Sequence, residues 1–441
     1  MRYDNLLAEF VHLCSKSSVD NERAIRFYFH ALLGAYFRKC TIRWGAYNKS
    51  VRFHFLFIQA SRTGKDQINK FIKDLSNRIN LNCVILTDVS SDASFIGSID
   101  SNAKQYNSKY GLTRENPIVE IKEKEYTFQD PVIKGLFGSH DVIIVSEAKT
   151  IFQVSQGETK MLSVLQPALD SPSEIVKKMR DTELIQYTTD STLILTSIPF
   201  KQMKENMLSQ GFFQRLATYI RRLDIDEIKA MRKKANTTLI SIDHEKFNNG
   251  MDNLAKKILV LDSSPKEIIL PISLLWDINN YVDNFIEKIR WNIVGDEVTN
   301  ALSFSNTVQD VIMKVAGISC LIEGRTHMDN NDIKRGFMIA DMFSDSVIEE
   351  IEIETDLREM SQERVLLNFI KKIIKESKEP IAKGNLQKLL SQKFELGFAK
   401  AGKRIEVLAQ RNFIKINKPN ENKEKIVELV IKNADLSDRY T

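Results

Sequence analysis

Two stretches of the chain carry residue types that can handle phosphate. The first, Gln59-Ala60-Ser61-Arg62-Thr63-Gly64-Lys65-Asp66, ends like the phosphate-binding loop G-x-x-x-x-G-K-[ST]. In such a loop the backbone N–H groups and the positive end of the following helix face nucleotide phosphates, and the lysine sets a point charge against the β and γ groups. Ser61, Arg62, Thr63, Gly64, Lys65 and Asp66 are therefore the candidate nucleotide contacts. Two positions depart from the pattern. Gln59 stands for the first glycine, and Asp66 for the hydroxyl that ordinarily reaches Mg²⁺. A bare Gly-Lys pair also recurs by chance, so an exposed turn is the competing reading.

The second stretch, Asp141-Val142-Ile143-Ile144-Val145-Ser146-Glu147, is an apolar run closed by a carboxylate about 80 residues further on. P-loop ATPases end such a strand with an Asp that holds Mg²⁺ and a Glu that polarises the attacking water. Glu147 supplies the second group, and Ser146 stands where the first would be. A carboxylate on the loop at Asp66 and a hydroxyl on the strand at Ser146 keep the usual ligand kinds with their positions exchanged, which makes both candidate Mg²⁺ ligands. The alternative is a core strand that happens to end in glutamate.

These residues need elements to hold them. The apolar and aromatic run 53–58 predicts a buried strand before the loop, and the spacing over 67–75 predicts a helix after it. With a second strand at 82–87, this makes a parallel strand–helix–strand crossover. A third strand is expected at 192–197, with Ser197 at its end. Gly211-Phe212-Phe213-Gln214-Arg215-Leu216 then leads into a strand-like run at 218–223. Residues 1–49 read as two helices with an apolar face through Ile25, Phe29, Leu32 and Tyr36, placed to brace this core. Residues 110–131 and 174–187 read as hairpins. The second carries Lys177, Lys178 and Arg180, either contacts for nucleic-acid phosphates or an exposed basic turn. From 270 to 360 the pattern is helical.

With 441 residues, 43% hydrophobic and 27% charged, with only 17 Gly and 9 Pro, the chain is expected to be globular, helix-rich and divided into two to four domains. No stretch approaches the roughly 18 uncharged apolar residues of a membrane span, and Met1-Arg2-Tyr3-Asp4 leads into no secretory core. Cys14, Cys40, Cys83 and Cys320 show no metal-ligand spacing, which predicts buried thiols in a reducing compartment. An intracellular protein, cytoplasmic or nucleoid-associated, is the expectation.

Charge is uneven. Residues 361–432 hold 17 Lys+Arg against 8 Asp+Glu, so this tail carries +9 while the rest of the chain stands at −4. Its pattern predicts helices at 362–375, 383–393 and 399–411, then strands at 413–416 and 426–431 around a polar turn: the order of a winged helix-turn-helix. In such a module the third helix would set Lys400, Lys403, Arg404 and Arg411 against DNA. Winged helices also dock proteins.

Taken together, the loop, acidic strand, polar-tipped strand and late arginine resemble, in order and spacing over 51–224, the AAA+ ATPases. Within them the chain is similar to helicases of the minichromosome maintenance type and to the related primase-helicases encoded by phages and plasmids. The resemblance implies an α/β P-loop AAA+ core, a parallel sheet flanked by helices, over 50–225, behind an N-terminal helical brace at 1–49. A helical lid at 226–360 and a winged-helix nucleic-acid-binding domain at 361–441 would follow. It further implies a homo-oligomeric, hexameric ring that hydrolyses ATP with Mg²⁺ at subunit interfaces and acts on DNA in replication, with Arg215 as the finger inserted into a neighbour's site. No primase domain is evident, so priming would fall to a separate primase. Departures stand beside these: Gln214 replaces a serine; Ile198 occupies the place of a sensor asparagine, whose role is lost or passes to Thr196 or to Ser197 as a candidate nucleotide contact; and the second sensor's arginine is missing near Thr307, where Lys314 is the nearest cation and is not assigned to the role. They favour an alternative, an ATP-binding replication initiator or transcription regulator with weak or no hydrolysis. A small-molecule kinase is a third reading.

Overall fold

Buried apolar runs alternating with amphipathic helices build an α/β molecule, seen here in a computed structural model that describes residues 2–18, 20–87, 92–121, 124–152, 160–170, 174–178, 184–199, 213–240, 242–292, 302–377, 381–394, 397–410, 414–417 and 426–429. The chain divides into two compact units, Met1–Ile351 and Glu352–Thr441.

The first unit opens with α1 (Tyr3–Ser17) and α2 (Glu22–Tyr36), followed by a hairpin of β1 (Thr41–Trp44) and β2 (Tyr47–Ser50). Its two-residue turn places Gly45 at φ +58°, a conformation that glycine adopts without cost. Next come β3 (Phe55–Gln59), α3 (Lys65–Arg78) and β4 (Cys83–Leu86). An insertion holds α4 (Asp92–Ile96), β5 (Gly97–Ile99), α5 (Ser101–Tyr110), β6 (Ile118–Ile121), β7 (Lys124–Thr127), β8 (Val132–Lys134) and α6 (Leu136–Ser139). The expected hairpin within 110–131 is the antiparallel pair β6–β7. After β9 (Val142–Val145), α7 (Lys149–Phe152) and α8 (Lys160–Leu169), the basic stretch forms a second antiparallel pair, β10 (Glu174–Lys178) with β11 (Leu184–Thr188). β12 (Thr192–Ser197), a 3₁₀ turn at Phe213–Arg215 and β13 (Ala217–Arg221) complete the core, and helices dominate thereafter. β14 (Glu267–Ile269) returns to pair in parallel with β1, tying the later helical region to the N-terminal segment.

The central sheet runs β13-β3-β12-β9-β4 with every pairing parallel. Its register sets Gln59 beside Arg221, Ile58 beside Ser197, and Val145 beside both Leu195 and Leu86. Parallel strands that start and stop together bring their carboxyl ends to one edge, where open α/β sheets bind ligands. All of β3 is buried, which explains its unbroken apolar run. α2 lies against this sheet through rings: Phe27 stacks 5.1 Å from Phe55 and 5.5 Å from Tyr219, and Tyr28 meets Phe55 edge-on at 5.0 Å. Such pairs add about 0.5–1.5 kcal/mol each beyond the area they bury. The N-terminal helices are thus part of the core, and α2 is held firmly enough to carry a side chain into the site.

The second unit has its own core of Leu366, Ile370, Leu386, Leu390, Ala401, Ile405, Leu408 and Ile414. Around it stand the latter part of helix Asn330–Ser377, helices Lys383–Lys393 and Phe398–Gln410, and an antiparallel sheet in which Ile426–Leu429 lies between Ile381–Ala382 and Ile414–Asn417. The four cysteines are all buried and free.

Candidate functional site

The loop between β3 and α3 is held from two sides. Gly64, at φ +93°, turns the chain into α3, and a Cβ there would collide with the Ser18 hydroxyl. Ser18 Oγ donates to the Gly64 carbonyl at 3.0 Å and Asn21 Nδ2 to the Thr63 carbonyl at 2.8 Å, so the turn between α1 and α2 grips the loop. From inside the sheet Gln59 Nε2 reaches the same Thr63 carbonyl at 3.4 Å. The glutamine in the place of the first glycine straps the loop together. Thr63 Oγ1 donates to the Ala60 carbonyl at 2.6 Å, leaving its backbone rather than its hydroxyl to meet a ligand. Ser61 and Arg62 are exposed, with Arg62 in the left-handed region at φ +62°.

Lys65 is buried at the first turn of α3, and its ammonium donates to the carbonyls of Ser197, at 2.7 Å, and of Gln59. Ser197 therefore contributes its carbonyl, its hydroxyl being turned to the Ile198 carbonyl at 2.9 Å. Burial pulls the Lys65 pKa down to about 8, against the opposing charges of Asp66 and Glu147. A phosphate needs the charged form. Nucleotide affinity is thus expected to be level below pH 8 and to fall above it by up to roughly tenfold per pH unit, because the free protein must then take up a proton on binding. Titration of an ATP analogue between pH 7.5 and 9.5 reads this slope, and Lys65→Arg, which stays charged, should flatten it.

Asp66 and Glu147 are exposed and Ser146 is half-buried. Ser146 is positioned by a residue that no motif flagged: Asn69, buried on α3, donates through Nδ2 to Ser146 Oγ at 3.4 Å and Thr196 Oγ1 at 3.3 Å. The Tyr28 hydroxyl of α2 donates to Asn69 Oδ1 at 2.9 Å, and Thr196 Oγ1 donates to the Ser146 carbonyl at 2.9 Å. A polar chain thus runs from α2 through α3 to the ends of β9 and β12. The one sequence signal for Asn69 is a carboxamide on the apolar face of an amphipathic helix.

Mg²⁺ beside a nucleotide takes one or two carboxylates and fills its octahedron with phosphates and water, and Asp66, Ser146 and Glu147 are oxygen donors of that kind. Next to the loop a cavity of about 380 Å³ is lined by Asp20, Asn21, Arg23, Tyr219 and Arg221. The buried side-chain oxygens of Asn21 and Gln59 accept no hydrogen bond among the described residues, an omission that costs on the order of 1–3 kcal/mol for each group unless a ligand donor meets it.

Arg215 lies elsewhere. It precedes β13, whose Ala217 pairs with Phe55 at the start of β3, so it stands at the amino edge of the sheet, roughly 13 Å or more from the loop at about 3.3 Å per residue. There its Nε is 2.6 Å from Asp170 Oδ1. Lys314 shares that edge with His54 and does not reach the same chain's Lys65. Lys177 and Lys178 lie on β10, while Arg180 falls outside the described residues. In helix Phe398–Gln410, Lys403 is exposed and Arg404 half-buried; Lys400 is placed by its backbone only, and Arg411 lies outside the described residues. No protein-family model matches the chain, and a search of curated proteins returns no match. Among the described residues no helix is long and apolar enough to cross a membrane.

Proposed function

We propose that the chain is an AAA+ ATPase that binds ATP with Mg²⁺ at the Lys65 loop, hydrolyses it between neighbouring copies in a hexameric ring, and spends that energy on moving along or unwinding DNA. The observation that carries this reading is the all-parallel sheet that gathers the Gly-Lys loop, Glu147 and Ser197 at one edge. Lys65 exchanges its two carbonyl partners for phosphate oxygens, and Glu147 accepts a proton from the attacking water. Asn69 holds Ser146 and Thr196 in register beneath them, a polar anchor in a chain whose sensor position is Ile198. Asp66 and Ser146 would hold Mg²⁺, which would supply charge neutralisation to the phosphates. The 380 Å³ cavity beside the loop offers room for the nucleoside.

Arg215 at the far edge is suited to a neighbour's nucleotide and too distant for its own. The second unit, with three helices and a small antiparallel sheet among its described residues, is read as a winged helix that binds DNA through the +9 charge of residues 361–432. Priming requires a partner primase. Steady-state ATPase measured with and without DNA, together with strand separation, tests the proposal. Several-fold stimulation by DNA is expected. A folded chain that binds ATP yet turns it over at no measurable rate, with or without DNA, points instead to the ATP-binding initiator or regulator, a reading favoured by the strapped loop and the pinned Lys65.

A further inference from the structure

The β10–β11 pair, which bears Lys177 and Lys178, is tied at both of its ends by one buried side chain. Arg52 donates through Nη2 to the Asp170 carbonyl just before the pair, at 3.0 Å, and through Nη1 to the carbonyls of Thr189, at 3.2 Å, and Ser191, at 3.0 Å, just after it. Its Nε donates to the Ser50 hydroxyl at 3.1 Å. Burial lowers the Arg52 pKa to about 10, against the charge of Asp190, which lies between the last two carbonyls in sequence. The guanidinium therefore stays charged at neutral pH, and bonds from a charged donor are about twice as strong as neutral ones. The two segments that lead into and out of the hairpin are thus held as one stem.

Asp170 has a second task. While its carbonyl enters that clamp, its carboxylate meets Arg215, with Oδ1 2.6 Å from Nε. The backbone beside Arg215 is fixed independently: the Thr307 hydroxyl donates to the Gln214 carbonyl, Gln214 Nε2 donates to Ser303 Oγ at 2.6 Å, and Leu216 is buried. What can change is the setting of the Arg215 side chain. With the two side chains 34% and 47% exposed, the pair with Asp170 contributes little to stability, and both groups line a cavity of about 290 Å³ that gives the guanidinium room to turn. A firm stem and a weak ion pair, joined in one residue, suit a contact that is made and broken.

We infer that Asp170 is a positioning residue for Arg215, and that Arg52 builds it into the stem of the hairpin, so that nucleic acid held on β10–β11 resets the arginine. The roles of Arg215 and of DNA in this rest on the proposed function; the coupling of hairpin and arginine does not. By linkage the effect runs both ways, so freeing Arg215 also loosens the hairpin.

Hydrogen exchange on the full-length, nucleotide-free chain reads that coupling whether or not the chain turns over ATP. In Asp170→Asn and in Arg215→Ala protein, the amides of Leu184–Thr188 should exchange about threefold faster or more, with those of the β6–β7 hairpin unchanged, and the double variant should be no faster than the quicker single one. Asp170→Glu, which keeps the charge, should return the hairpin toward the wild-type rate. An unchanged hairpin in Arg215→Ala protein, an acceleration shared equally by β6–β7, or additive effects in the double variant overturns the inference. Steady-state turnover gives a second reading: Asp170→Asn should lower the DNA-stimulated kcat about tenfold while the KM for ATP stays within about threefold. An undiminished kcat in that variant removes Asp170 as a positioning residue. A wild-type chain that hydrolyses no ATP would sink the proposed function and leave the exchange measurements to decide the coupling.

Discussion

Arg215→Ala is expected to lower the ATPase rate by roughly 10³-fold or more, the range seen when an arginine finger is withdrawn, while the affinity for an ATP analogue stays within about threefold. The geometry separates this outcome from an ordinary active-site loss. Arg215 precedes the strand whose first residue pairs with the first residue of β3, and Lys65 follows the last, so the sheet itself stands between them. In the proposed ring the guanidinium would stabilise charge in a site that another copy builds. Mixing Arg215→Ala with Lys65→Ala chains should then restore part of the activity, because an interface formed by the Lys65 loop of the first and Arg215 of the second is whole. A mixture that assembles but stays as inactive as its parents removes Arg215 from the mechanism.

Glu147→Gln should cost roughly 10²–10⁴ in turnover, the usual contribution of a positioned general base. The amide keeps the shape and cannot accept the proton. Glu147 is exposed at the carboxyl edge and close enough to Lys65 to act on its charge, so replacing it removes a negative group from the neighbourhood of the phosphates. Binding of ATP should accordingly hold or tighten while hydrolysis fails. Rapid-quench measurement on preloaded protein separates the two steps. Turnover at the parental rate would place the base elsewhere.

Local pattern carried much of this architecture. The strands at Phe55–Gln59, Val142–Val145 and Thr192–Ser197 are continuous apolar runs because both faces are covered, and in β11 buried Ile185 and Tyr187 alternate with exposed Gln186 and Thr188 because one face is not. Helix and strand positions in the tail follow from periodicity in the same way. Residues 41–50 form a hairpin rather than part of a second helix; Trp44-Gly45-Ala46-Tyr47 carries its two-residue turn signal, beside the stronger apolar periodicity of the helix that precedes it. Its pairing with Glu267–Ile269 joins segments more than 200 residues apart, and nothing local encodes that.

The site divides similarly. Lys65, Asp66 and Glu147 are marked by motif and spacing. Asn69, Tyr28, Ser18 and Asn21 matter through contacts between elements distant in sequence, and Lys314 lines the opposite edge of the sheet, a position that local pattern does not encode.

Binding of a fluorescent ATP analogue in the presence of Mg²⁺, compared between the wild-type chain and Lys65→Ala, addresses the central claim most directly. The account predicts saturable binding by the wild type, weakened about 100-fold or more when the buried ammonium is removed, in a variant whose melting temperature shows it to be folded. Absence of saturable binding by folded wild-type protein, or equal affinity in the two chains, would contradict it.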